Sequence, residues 1–195
     1  MENKLILADC DGVLLHWEWY FDRWMRKHGY SKRIHDAYST SEAYNISEER
    51  GEQLVRMFNE TVYAGSLPPL RDAVKYVRKL HEEYGCVLHV ISSISGEAEI
   101  AEARKRNLHN VFSSSVFYKI TCLDESISKS YVLEEYSGSK AIWVEDVLAN
   151  YIIGEHLGLH PILITQSYNS MYTVDNRVYG WKSIYDIVTK RIEGE

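Results

Sequence analysis

Two aspartates one residue apart, Asp9 and Asp11, end the apolar run of Leu-Ile-Leu-Ala-Asp-Cys-Asp-Gly-Val-Leu-Leu, residues 5–15, and Gly12 follows at once. A buried strand has no structural use for two carboxylates at its end. Two anions this close repel and lose hydration together, unless a cation or a reaction employs them. A second apolar run, Val87-Leu88-His89-Val90-Ile91, passes into Ser92-Ser93 and reaches Gly96 at an expected helix start. Hydroxyls and free backbone N–H groups at a strand-to-helix turn suit a phosphate group. A third run, Ala141-Ile142-Trp143-Val144, ends in Glu145-Asp146, with Asn150 one helical turn beyond Asp146. Carboxylates at the ends of two parallel strands can converge on one hard divalent cation, and Mg²⁺ fits such oxygen donors. Lys129, between the serines and this acidic pair, is a candidate counter-charge to a phosphate and to ionised Asp9.

Residues so spaced need a sheet to bring them together. Strand-like runs recur near residues 4–8, 87–91, 141–145 and 161–165, with a weaker one within 111–120. Helical spacing fills the gaps, over 70–84, 97–107, 147–157 and 182–192. Alternating strands and helices predict a parallel sheet covered on both faces, an α/β fold of three layers. One stretch breaks the alternation, because no strand pattern occurs between Leu15 and Pro68. Trp17, Tyr20, Phe21 and Trp24 stand at helical spacing there, and Ser47 is placed to cap a helix through Arg50. About 50 residues exceed an ordinary connection, so residues 16–67 are expected to form a small helical cap. Pro68-Pro69 stiffens the return, and residues 1–15 and 68–195 are expected to form the core domain.

Composition narrows the chemistry further. The 195 residues carry 22 Lys and Arg against 28 Asp and Glu, a formal charge of -6, which argues against a nucleic acid as main partner. Three cysteines without C-x-x-C spacing indicate neither a disulfide framework nor a zinc site. Cys10 reads as a packing residue, since no basic partner for a thiolate is evident. His156 and His160 are separated by Gly158 and lack a third ligand, so packing or solvation suits them better than zinc. No apolar run approaches the roughly 20 residues that span a bilayer, and no leader sequence is read, so a cytoplasmic protein without a membrane partner is expected. On the same ground, Asn45 and Asn59 are not expected to carry glycans.

The ordered set resembles the haloacid dehalogenase-like (HAD) superfamily across nearly the whole chain. Its four motifs match Asp9-Cys10-Asp11-Gly12-Val13-Leu14, then Ser92, then a lysine, then Glu145-Asp146. Lys129 is best placed for the third motif but lacks the proline that often follows it, which leaves Lys119 and Lys140 as alternatives. The resemblance implies a Rossmann-like parallel sheet and a Mg²⁺-dependent phosphatase acting on a small phosphomonoester. It implies Asp9 as nucleophile, Asp11 as general acid and base, Ser92 and the backbone near Ser93 as phosphoryl holders, and Lys129 as a charge stabiliser. It further implies metal ligation by Asp9, Asp146 and the Asp11 carbonyl, with Glu145 and Asn150 acting directly or through water. Asp11 favours phosphoryl transfer over dehalogenation, because a halide leaves without a proton.

The cap follows the first motif, where many HAD phosphatases carry theirs. The Asp-Gly-Val-Leu start, the short cap and Leu67-Pro68-Pro69-Leu70 are similar to the 5'(3')-deoxyribonucleotidases, in which cap aromatics stack on a base. That likeness implies a nucleoside monophosphate as substrate, with Trp17 and Tyr20 within reach of its leaving group. The alternative for this aromatic stripe is the cap's own core. The alternatives for function are a sugar-phosphate phosphatase, a phosphomutase, a domain acting on nucleic-acid ends, and a non-catalytic binding protein of the same fold.

Overall fold

A computed structural model describes residues 4–194. Six parallel strands form one sheet: β1 (Leu5–Ala8), β2 (Val87–Ser93), β3 (Phe117–Leu123), β4 (Ile142–Glu145), β5 (His160–Ile164) and β6 (Arg177–Val178), in the order β3-β2-β1-β4-β5-β6. Among the described residues eight α-helices accompany them: α1 (Trp17–Lys27), α2 (Thr40–Tyr44), α3 (Glu48–Asn59), α4 (Ala73–Tyr84), α5 (Ala98–Phe112), α6 (Ser130–Leu133), α7 (Leu148–His156) and α8 (Trp181–Glu193). Strand residues alternate between two apolar layers, as the pleat requires. Ile6, Ala8, Leu88, Val90, Ile142, Val144, Ile162 and Ile164 face the larger one, with Val77 and Leu80 of α4, Leu108 of α5 and Ile184 of α8. Leu7, Ile91 and Trp143 face the smaller one, with Val132 and Leu133 of α6. The three-layer α/β architecture is the expected one.

Two helices touch the sheet in ways that carry through to the site. Trp181 is fully buried at the start of α8, and its Nε1 donates to the Val13 carbonyl at 2.8 Å. The Asp72 carboxylate accepts from the Trp181 and Lys182 backbone N–H groups, both at 2.9 Å, anchoring the helix N-terminus that its charge favours. On the other face, α7 lies so close to β4 that a Cβ at Gly154 would come within 2.7 Å of Trp143 Cδ1. Glycine is required there by packing.

Two elements differ from the sequence expectation. The fifth strand-like segment begins later than expected, because α5 continues to Phe112 and β3 starts only at Phe117. As an edge strand β3 exposes Tyr118 and Lys119, which dilutes its apolar signal. The two-residue β6 has no pattern to detect. Between β1 and α4 the described chain is helical or irregular, with α1, α2 and α3, and Ser47 Oγ accepts from the Arg50 N–H at 3.3 Å. Both ends of this excursion meet: Leu70 N–H donates to Leu14 O at 2.8 Å and His16 N–H to Pro68 O at 2.9 Å. Phe21, Trp24, Leu54 and Phe58 bury its interior in continuity with the larger layer.

Candidate active site

Strand order reverses between β1 and β4, the position where doubly wound sheets open a crevice at their carboxyl ends. Asp9 follows β1, and its N–H still bonds Val144 O of β4 at 2.9 Å, so the two acidic loops start side by side. The β1 loop then turns tightly, with Leu14 and Leu15 N–H both donating to Cys10 O at 2.8 and 2.9 Å. Gly12 makes this turn at φ +79°, and a Cβ there would overlap Asp146 Oδ2 and sit 2.9 Å from Asp146 Cγ. Only glycine combines that backbone with that contact.

Asp9, Glu145 and Asp146 are all buried and offer carboxylate oxygens within 4.8 Å of one another. Lys129, also buried, reaches them from the segment preceding α6, with Nζ 2.6 Å from Asp9 Oδ1 and 2.7 Å from Glu145 Oε1. Its ammonium also lies 5.5 Å from the centroid of the Trp143 ring. Burial works against the Lys129 charge, but Asp9 and Glu145 outweigh it and hold the amine protonated well above the usual range. Burial raises the Asp9 carboxyl, Lys129 opposes that rise, and the carboxyl stays above its ordinary value. Asp146 is raised too, by burial first and then by the charges of Glu145 and Asp9. Glu145 goes the other way: burial would raise it, yet Lys129 and hydrogen bonds hold it low. Lys119 sits instead 3.7 Å from Glu135 on the edge strand, and Lys140 is exposed.

Glu145 is saturated. Its Oε1 accepts from Lys129 Nζ and Asn150 Nδ2, both at 2.7 Å, and its Oε2 from the N–H groups of Asp146 (2.5 Å) and Val147 (2.9 Å). Glu145 therefore braces the β4 loop, and Asn150 meets the acids through it. Asp146 differs, for its Oδ1 is buried with no hydrogen-bond partner and its Oδ2 accepts from Tyr168 OH. Ser92, at the end of β2, is buried with an unpartnered Oγ, while Ser93 lines the adjoining cavity. Unsatisfied buried polar atoms cost on the order of 1–3 kcal/mol each, and these two stand at the carboxyl ends of β2 and β4, on either side of β1, where a ligand would satisfy both.

Several contributors are not apparent from motifs. Asp11 lines the cavity, and its Oδ1 is ion-paired to Arg104, a fully buried residue of α5 that also reaches Cys10 Sγ at 3.3 Å. Arg104 stands four residues before Leu108 on the buried face of α5, so a charge on an apolar helical face is the sequence signal for it. Burial pushes the Cys10 thiol up and so disfavours the thiolate. Beyond β5, Asn169 Nδ2 donates to Asp146 O at 2.7 Å and to Ile164 O at 2.9 Å, and Gln166 Nε2 donates to Gly12 O at 2.5 Å. One short segment thus ties both acidic loops. Its signal is position alone, at the carboxyl end of the strand next to β4.

Above the acids lies a cavity of about 670 Å³ whose far wall comes from the excursion and from residues 125–128. Trp17 is on that wall, and Tyr20 is not among its lining residues. Tyr20 instead packs its ring 4.9 Å from Trp19 and borders the larger core layer. Trp17 also serves the interior, stacked 4.5 Å from Phe21. Trp17 thus both lines the cavity and packs into the interior of the excursion.

The donor set fits a hard divalent cation. It is all oxygen, and one Asp146 oxygen lacks any partner among the described residues.

The fold defines the class: the chain has the architecture of the haloacid dehalogenase-like hydrolases. It aligns with the HAD-like hydrolase SP0104 of Streptococcus pneumoniae at a TM-score of 0.67 and 13% identity, covering 96% of this chain and 99% of that one. CbbY of Rhodobacter sphaeroides, solved with phosphate, aligns at 0.61 and 14% over 93% and 96%. The HAD-hydrolase YfnB of Bacillus subtilis, solved with magnesium, aligns at 0.61 and 13% over 95% and 98%. In sequence, 153 residues are 25% identical to a 32.4 kDa protein of the Gp30-rIII intergenic region of Enterobacteria phage T4. That match spans 75% of this chain and about half, 54%, of the phage protein. No family model matches.

Proposed function

We propose that this protein is a Mg²⁺-dependent phosphatase that hydrolyses a small phosphomonoester through an aspartyl-phosphate on Asp9. The observation that carries the reading is Asp9 itself, a buried carboxylate bridged by Lys129 to Glu145, beside Asp146, at the switch point of the sheet. An Asp9 oxygen attacks phosphorus as the bond to the leaving oxygen breaks, and Asp11 gives that oxygen its proton. Asp11 then takes a proton from water as the water oxygen attacks phosphorus and Asp9 is released with inorganic phosphate. Lys129, the Ser92 hydroxyl and the backbone near Ser93 hold the phosphoryl oxygens while charge redistributes. Asp9, Asp146 and the Asp11 carbonyl would hold Mg²⁺, with Glu145 and Asn150 bracing them, and the cation supplies charge that lets an anionic nucleophile meet an anionic ester.

The magnesium bound in YfnB and the phosphate bound in CbbY support this reading, as does the family resemblance of the four motifs. For the substrate, a nucleoside 5'-monophosphate suits the Trp17 wall, and a sugar phosphate suits the hydroxyls of Ser126 and Ser128. The test is phosphate release from a panel of nucleotides and sugar phosphates, with Mg²⁺ or chelator, for wild type and Asp9→Asn. Mg²⁺-dependent release that vanishes in Asp9→Asn is expected. Release that survives the substitution would overturn the mechanism.

A further inference from the structure

The charges along the cavity are unevenly paired, and this bears on what can sit in its leaving-group half. Lys32 and Lys129 are the lysines among its described lining residues. Both are committed: Lys129 to Asp9 and Glu145, and Lys32, nearly buried, to Glu18 at 2.5 Å. Among the described residues Glu125 has no such ion pair. It stands exposed where this cavity meets the neighbouring cleft, partial desolvation raises its carboxyl, and the cation that acts on it most, Arg56, lines that cleft without an ion pair to it. Its orientation is set by a relay in which Trp17 Nε1 donates to Asn59 Oδ1 at 3.0 Å and Asn59 Nδ2 to Glu125 Oε1 at 3.3 Å. The far wall therefore presents a fixed acceptor and one carboxylate more than its cations balance.

Resting on the phosphatase reading, we infer that the cavity selects monoesters of an uncharged or cationic alcohol rich in hydrogen-bond donors, and that Glu125 is the residue that enforces this. A second phosphate or a carboxylate on the leaving group would meet Glu18 and Glu125 with no free ammonium to receive it. A hydroxyl or an amine there meets an oriented acceptor instead. Like charges several ångströms apart across a partly wet cavity are worth about a factor of ten in discrimination.

The test compares kcat/KM for matched esters: fructose 6-phosphate against fructose 1,6-bisphosphate, and phosphoethanolamine against 3-phosphoglycerate, at one ionic strength with Mg²⁺. The singly phosphorylated or cationic member of each pair is expected to lead by about tenfold or more. Glu125→Gln shrinks both ratios, and Glu125→Lys inverts them. A ratio is insensitive to a partial loss of folded enzyme, and melting curves check each variant. Calorimetric binding of the same esters to the Asp9→Asn protein ranks them without turnover. Absent turnover with the ranking intact would sink the phosphatase reading and keep the inference. Equal or stronger handling of the bisphosphate, or ratios unmoved by Glu125→Gln, would overturn it.

Discussion

Replacing Lys129 with methionine removes the ammonium that bridges two buried carboxylates, Asp9 and Glu145, and keeps most of its hydrophobic stem. Asp9 Oδ1 and Glu145 Oε1 lose partners at 2.6 and 2.7 Å. Breaking a buried ion pair from one side costs about 3–5 kcal/mol, since the abandoned charge has no water to turn to. For a domain of this size each kcal/mol moves Tm by about 2–4 °C, so a fall of about 6–20 °C is expected in chelator at pH 7. A divalent cation can replace the missing charge. At one hundred times its Kd a ligand adds about 2.7 kcal/mol, so saturating Mg²⁺ should recover from about half to nearly all of the loss. Because the site is now more negative, Mg²⁺ should raise the Tm of the variant more than that of wild type. Thermal unfolding followed by circular dichroism, with Mg²⁺ and with chelator, measures all of this. Adding Glu145→Gln to Lys129→Met should cost less than the sum of the two single changes. A Tm in chelator within about 2 °C of wild type would refute the reasoning, and so would strict additivity in the double variant.

Three further outcomes follow from individual contacts. Gly12→Ala places a methyl group on Asp146 Oδ2 at a backbone of φ +79°, so Mg²⁺ affinity measured by calorimetry should fall about 10–100-fold; unchanged affinity would contradict the role given to Asp146. His89 is fully buried between Tyr136 OH (2.7 Å) and Thr121 Oγ1 (2.8 Å), and burial lowers its pKa to about 4. Its neutral form therefore contributes stability above the unfolded value near 6.5, and this is lost as pH falls toward 4, up to about 3 kcal/mol at 1.36 kcal/mol per unit. The difference in unfolding free energy between wild type and His89→Gln should narrow over that window, and a constant difference would remove His89 from the account. Arg104→Met frees Asp11 from its anchor, so hydrolysis of alkyl esters, whose leaving group needs a proton, should drop at least tenfold more than that of p-nitrophenyl phosphate. Equal losses on both ester types would make Arg104 merely structural.

Much of this arrangement is legible in the sequence because chemistry and burial coincide there. β1, β2, β4 and β5 are short apolar runs buried on both faces, and three of them end in residues that such a strand would otherwise avoid: Asp9, Ser92 and Glu145. Gly12 is legible for the same reason, as the turn that must follow. The division of labour within the acidic cluster is less legible. Glu145 and Asp146 are adjacent carboxylates, yet one is saturated by four hydrogen bonds and the other keeps a free oxygen. That difference depends on where Lys129, Asn150 and two backbone N–H groups arrive, which spacing does not encode. Arg104, Gln166 and Asn169 act from α5 and from the loop after β5, far from any acid in the chain. Tyr20 illustrates the converse: an aromatic soon after the β1 loop points by helical phase toward the core.

The paired crossing of the chain at Leu14–His16 and Pro68–Leu70 has a consequence for how such a protein can diversify. Because the two ends of the intervening segment are already hydrogen-bonded to each other, the core closes the same small gate whatever lies beyond it. Loop-closure cost rises only slowly with length, so the segment is interchangeable in a way that a strand or a core helix is not. A graft of a foreign sequence between Leu15 and Pro68, with ends that meet at the same distance, would exchange Trp17, Glu18 and Lys32 as a cassette. Asp9, Lys129 and Asp146 would keep their geometry, since Trp181 and Gln166 hold the Val13 and Gly12 carbonyls from the opposite side. On the proposed function, the segment that would choose the substrate and the residues that would act on it are separately exchangeable, joined through one narrow isthmus of backbone.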